Sequence, residues 1–188
     1  MSQSAGEAAP LQSAGQCLGC GQGREEVQPI EALASLRLVQ RRSATLARLG
    51  QSDAARTASP SDPASASGAA AASRIPVVLD HAERRLRRLF GEPEPLMIVR
   101  GGEGGEGGPT NVTIALASVS EVAERLVRTI ASATAEDWHQ RRPGEDLSAA
   151  EITWAVLHQA THYLEEVELA LAQESAIVAI NRFAPKRG

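Results

Sequence analysis

A chain of 188 residues with 43% hydrophobic and 22% charged residues has room for one core, and a second domain would have to be very small. Its 3% aromatic content leaves leucine, valine and isoleucine to carry the packing, which suits helices better than sheets. A net charge of -4 and a pI near 5.6 exclude nucleic acid as the main partner, and no run approaches the roughly 20 apolar residues of a membrane span.

Residues 1–16 are small and polar, and a disordered tail is expected there. The opening MSQSAGEAAPLQ has neither a basic start nor an apolar run, so it does not read as a signal peptide. With only two cysteines as well, a reduced cytoplasmic protein is expected. The stretch CLGCG follows at Cys17 to Gly21. From Pro29 to Leu49, Ile30, Leu33, Leu36, Val39 and Leu46 recur at roughly helical spacing behind a proline placed to open a helix.

Residues 50–74 are rich in Ala, Ser, Pro and Asp and predict a flexible insertion, because such a composition buries too little to order itself. A second helix is predicted over 75–91, with Pro76 near its start, Gly91 at its close and Ile75, Val78, Ala82, Leu86 and Leu89 on one face. After it, two prolines and a glycine-rich acidic run form a long connection, flexible over 100–111; no Gly-Lys-Ser/Thr follows, so it is not a phosphate-binding loop.

A third helix is predicted from Ala117, with Ser118 and Glu121 as a capping box and Val119, Val122, Leu126, Val127 and Ile130 on its apolar side. A short turn then carries Trp138, a plug for one end of the core, and His139, expected to be exposed. Ser148 and Glu151 form a second capping box and open a helix through at least Leu171. Four helices and no convincing strand predict an all-α, antiparallel four-helix bundle over residues 17–180, with a tail at 181–188.

The last helix contains LHQATHYL, in which His158 and His162 stand four residues apart and can present both rings to one ion. The helical wheel puts Ile152, Val156, Tyr163, Val167 and Leu171 away from His158, and Glu151 and Glu165 near it. Trp154, Ala155 and Leu169 share the histidine side, so a solvated face and a buried polar seam both remain open. His81, in VLDHAERRL, sits between an apolar stripe and a basic face holding Arg84, Arg85 and Arg88. The plainer reading of the arginines is a solvated face paired with acidic residues.

VVLDHAERRLRRLF resembles the second helix, and AEDWHQRRPGEDLSAAEITWAVLHQATHYLEEVELAL the turn and last helix, of DinB-like four-helix bundles, the superfamily that includes mycothiol-dependent maleylpyruvate isomerase. CLGCG followed by a helix also resembles the start of certain actinobacterial members. The resemblance implies a divalent metal, zinc or nickel, held by His81, His158 and His162. Three neutral imidazoles leave the ion's charge intact and a fourth position open, where a thiol can be deprotonated. The implied activity is that of a thiol S-transferase or isomerase, with a low-molecular-weight thiol such as mycothiol and an electrophile as its small-molecule partners. A homodimer is compatible with this reading. The alternative is a non-catalytic helical module that serves interaction or structure.

Cys17 and Cys20 form a Cys-x-x-Cys pair without a second such pair and without a βαβ context. A four-ligand zinc built on them must borrow two groups, and the histidines are assigned to the other site. The leading expectation is an inert or occasionally oxidised pair, with a metal role and then a redox function as the alternatives.

Overall fold

The computed structural model describes residues 20, 26–51, 63–92, 112–142 and 144–183. Its helices are α1 (Pro29–Gly50), α2 (Pro63–Leu89), α3 (Val112–Ser132), the short α4 (Ala135–His139) and α5 (Ala149–Phe183). No strand occurs among the described residues, so the fold is all-α. None of the helices is long and apolar enough to cross a membrane.

α1 packs against α3 and α5, and so does α2. Directions follow from the contacts. Thr113 Oγ1 reaches the Ala47 carbonyl while Gln40 reaches Ser120 and Glu124, so α1 and α3 run in opposite senses. Glu83 pairs with Arg125 and Glu92 meets Ser132, so α2 and α3 run in the same sense. Parallel neighbours require the chain to return the length of a helix, which accounts for the long connection between them. α2 and α5 are antiparallel, since Gly68 lies against Ala170 and Arg74 over the Tyr163 ring.

The core is aliphatic. Leu36, Ile75, Leu79, Leu86, Leu116, Leu126, Ile130, Ile152 and Leu164 are fully buried, with Trp138 as the one large aromatic among them. Trp138 plugs the end of this core as expected, and its indole N–H donates to the Val27 carbonyl at 2.8 Å. That bond fixes the chain entering α1 beside the chain leaving α3. His139 is exposed, with Nδ1 3.4 Å from Glu26.

Several boundaries differ from the sequence expectation. α2 begins at Pro63, well inside the insertion expected over 50–74, because Ala71 and Ala72 are buried at 1% and 0% exposure against neighbouring helices. Alanine buries little area, but it lets helix axes approach closely, and a Cβ on Gly68 would come within 2.7 Å of the Ala170 Cβ. Pro76 therefore lies inside the helix rather than at its start. The closing position matches: Gly91, at φ 72°, lets the Glu92 N–H reach the Arg87 carbonyl at 2.9 Å, a Schellman closure.

α3 starts at Val112, ahead of the expected Ser118 box. Ser118 instead donates to the Ala115 carbonyl at 2.8 Å from within the helix. Ile30 was expected on the apolar stripe of α1 but is 73% exposed; the buried set is Ala32, Leu36, Val39, Ser43 and Leu46, and Ile30 falls on the opposite side. α5 forms behind the Ser148–Glu151 box as predicted, with the Ser148 N–H donating to Glu151 at 2.8 Å and the Glu151 N–H to Ser148 Oγ at 3.3 Å. It continues to Phe183, past the expected start of the tail. The expected tail at 1–16, Cys17, and the insertion at 100–111 lie outside the described residues.

Candidate metal centre

The helical repeat brings His158 and His162 to the same side of α5, where both are half-buried. Their Nε2 atoms are 3.1 Å apart and the rings meet edge to face. Trp154, one turn earlier, stacks on His158 with centroids 4.9 Å apart and planes 10° from parallel. On the other flank His162 Nδ1 lies 3.3 Å from a Glu165 carboxylate oxygen. The histidine face thus turns neither fully inward nor fully into water. It borders both, with the Trp154 ring on one side and the exposed carboxylate on the other. Leu169, expected on this side, is 61% exposed, and Glu151 is occupied by its cap and by Arg141.

The third group is a cysteine. Cys20 Sγ is 3.1 Å from His158 Nε2, and one ligand atom from each of Cys20, His158 and His162 lies within 4.8 Å of the other two. Ligands at about 2.05 Å for nitrogen and 2.3 Å for sulfur in a tetrahedron stand roughly 3.3 Å (N to N) and 3.6 Å (S to N) apart. The two separations from His158 Nε2, 3.1 Å each, are within about half an ångström of those values, and the Cys20 and His162 ligand atoms lie within 4.8 Å of one another, so the trio is close enough to share one ion after a small adjustment. Glu165 stands on the other ring nitrogen: its carboxylate oxygen lies 3.3 Å from His162 Nδ1, while Nε2 is the atom turned toward His158.

Among the described residues no other group of this kind is found. His81, expected as a ligand, is exposed on α2 and outside the trio. The register set by Gly68 against Ala170 and Arg74 over Tyr163 puts it at about the level of Val156 to His158. Burial, then the guanidinium charges of Arg84, Arg85 and Arg88, holds the His81 pKa below its ordinary value, with Asp80 opposing them. An imidazole in this setting is neutral at physiological pH, the form that can ligate an ion.

The neighbouring arginines are largely engaged, as the plainer sequence reading expects. Arg84 pairs with Asp80 at 2.8 Å, Arg85 with Glu145 at 2.6 Å and Arg87 with Glu83 at 3.1 Å.

Cys20 is what the sequence reading left out of the site: the structure places its thiol beside the histidine pair. A signal for it existed. Cys-x2-Cys together with His-x3-His is a familiar zinc-ligand spacing, but 137 intervening residues hid the fact that the fold joins the two halves. Comparison with models of known protein families, with curated proteins and with solved structures finds no match to this chain.

Proposed function

We propose that the chain is a divalent-metal-binding helical protein, its four long helices forming a bundle in up-down-down-up order and its ion held by Cys20, His158 and His162. The carrying observation is that Cys20 Sγ and His162 Nε2 each lie 3.1 Å from His158 Nε2. Thiolate and imidazole donors together favour zinc, with nickel next, over magnesium or calcium. The ion would tie the segment before α1 to the N-terminal half of α5, in addition to the tie that Trp138 makes to Val27. Metal analysis of purified protein tests this: one equivalent is expected, lost on changing His158 and His162 to alanine. Less than one equivalent, unchanged by those substitutions, refutes it.

A second reading is the catalytic one, a DinB-like thiol S-transferase or isomerase in which His81 joins His158 and His162 and leaves a position open for a mycothiol-type thiol. The observation favouring it is the environment of His81, which keeps the ring neutral at the level of the pair. The cationic groups beside it suit an anionic thiol or electrophile. Cys20 weighs against this reading. A thiolate ligand lowers the positive charge that makes an ion acidify a substrate thiol. Metal-loaded protein that conjugates low-molecular-weight thiols to electrophiles faster than free metal supports catalysis; no such rate leaves the module.

A further inference from the structure

We propose that the centre formed by Cys20, His158 and His162 is redox-responsive: a hydroperoxide oxidises the Cys20 thiolate and the ion is released. The proposal rests on reading these three residues as ligands and adds to that reading how the site is controlled.

The three ligands differ in exposure and in chemistry. Cys20 is exposed, whereas both histidines are half-buried and the Trp154 ring covers one face of His158. The sulfur donor of the trio is therefore also the ligand that a solute reaches first. A thiolate is a nucleophile toward peroxide oxygen, and zinc has no redox chemistry of its own with which to compete. A neutral imidazole offers peroxide no comparably nucleophilic atom, so the attack falls on Cys20.

The step balances with the hydroperoxide as its only oxidant. A sulfur lone pair forms the S–O bond to one peroxide oxygen and the O–O bond breaks. The other oxygen leaves as hydroxide, or as alkoxide from an organic hydroperoxide, and takes a proton from water. Sulfur gives up two electrons, the peroxide accepts them, and Cys20 becomes a sulfenic acid. The product no longer carries the thiolate charge that held the cation, and zinc passes to water still divalent. Because sulfenic acid returns to thiol under a reductant, the change is reversible until sulfinic acid forms.

Position gives the step its consequence. His158 and His162 stand on successive turns of α5, while Cys20 precedes α1 and is 138 positions from His158. Oxidation leaves two imidazoles from one helix, which hold zinc roughly a hundredfold more weakly than the trio. The lost ligand is also the one that joins two parts of the chain. Its oxidation frees Cys20 from α5, while the Trp138 indole still donates to the Val27 carbonyl.

The whole chain loaded with one equivalent of zinc is treated with hydrogen peroxide beside a zinc-chelating dye, and Cys20 is followed by peptide mass after dimedone trapping. Zinc release is expected in step with Cys20 oxidation, one ion for each Cys20 found as a dimedone adduct or in a disulfide. A phosphine reductant followed by fresh zinc should restore one bound equivalent. Cys20→His, which keeps three donors without sulfur, should hold its zinc through the same treatment. Should that variant take up no zinc, the proportion between released zinc and oxidised Cys20 in the unaltered chain decides the matter.

Zinc that stays bound while Cys20 is oxidised, or that leaves while Cys20 is intact, overturns the proposal and leaves the three-ligand site standing. So does a Cys20 that stays reduced under peroxide sufficient to oxidise free glutathione. If the unaltered chain takes up no zinc, or takes it up equally with His158 and His162 both changed to alanine, the underlying metal reading fails and the proposal with it.

Discussion

Arg125→Met removes the cation by which α3 pairs with Glu83 and Asp80 of α2, and its cost can be worked from the contacts. Glu83 has a side chain only 2% exposed; it accepts from Arg125 Nε at 2.9 Å and lies 3.1 Å from Arg87 Nε. Arg125 also donates to Asp80 at 2.6 Å, while Asp80 keeps Arg84 at 2.8 Å. Methionine replaces the arginine stem but not its charge, so Glu83 is left with one imperfectly aimed partner. Breaking a buried pair from one side costs about 3–5 kcal/mol, and because Arg87 remains the expected loss is near the lower end, about 3 kcal/mol. For a chain of this size that lowers the melting temperature by roughly 6–12 °C. Urea unfolding followed by circular dichroism measures it directly. Adding Glu83→Met to Arg125→Met should recover most of the loss, since the stranded charge is then gone. A loss under about 1 kcal/mol, or a double variant no better than the single one, would show that the pair is solvated and the argument wrong.

Three further outcomes are expected. Zinc at about a hundred times its dissociation constant should stabilise the chain by roughly 2.7 kcal/mol, and this gain should vanish in the His158→Ala, His162→Ala protein when melting curves are compared with and without chelator. Burial pushes the Glu151 carboxyl up, but the Ser148 N–H, the Ser148 hydroxyl and Arg141 outweigh it and hold its pKa below the ordinary value. The sign follows: the contribution is fully present above about pH 4.5 and is lost as the pH falls through the lowered folded-state value, so Glu151→Gln should lower stability near neutrality, change little at low pH and thereby flatten the acid limb of a stability-against-pH curve. Gly68→Val should destabilise by roughly 1–3 kcal/mol in chemical unfolding, because even a Cβ would approach Ala170 Cβ to 2.7 Å and the branched side chain adds more bulk; a neutral result would mean that the two helices can separate at no cost.

Periodicity and local residue types identified the four long helices, the apolar faces of α2, α3 and α5, the Ser148–Glu151 cap, the Gly91 closure and the Trp138 plug, while α4 was expected as a turn. These depend on interactions within a few residues, and local sequence records them. The start of α2 was not legible in the same way. An alanine-rich run carries no amphipathic signal of its own, and Ala71 and Ala72 become core only when other helices close over them. Chain direction was likewise hidden, because nothing in the hydrophobic pattern tells a parallel neighbour from an antiparallel one.

The candidate centre divides along the same line. The sequence by itself determined that His158 and His162 share a face, since a helix places residues four apart one above the other whatever surrounds them. That Cys20 joins them, that Trp154 and Glu165 flank them, and that His81 stays outside the trio were decided by the tertiary structure. Local geometry relates residues on one helix, but a contact across 138 positions exists only after the helices have packed.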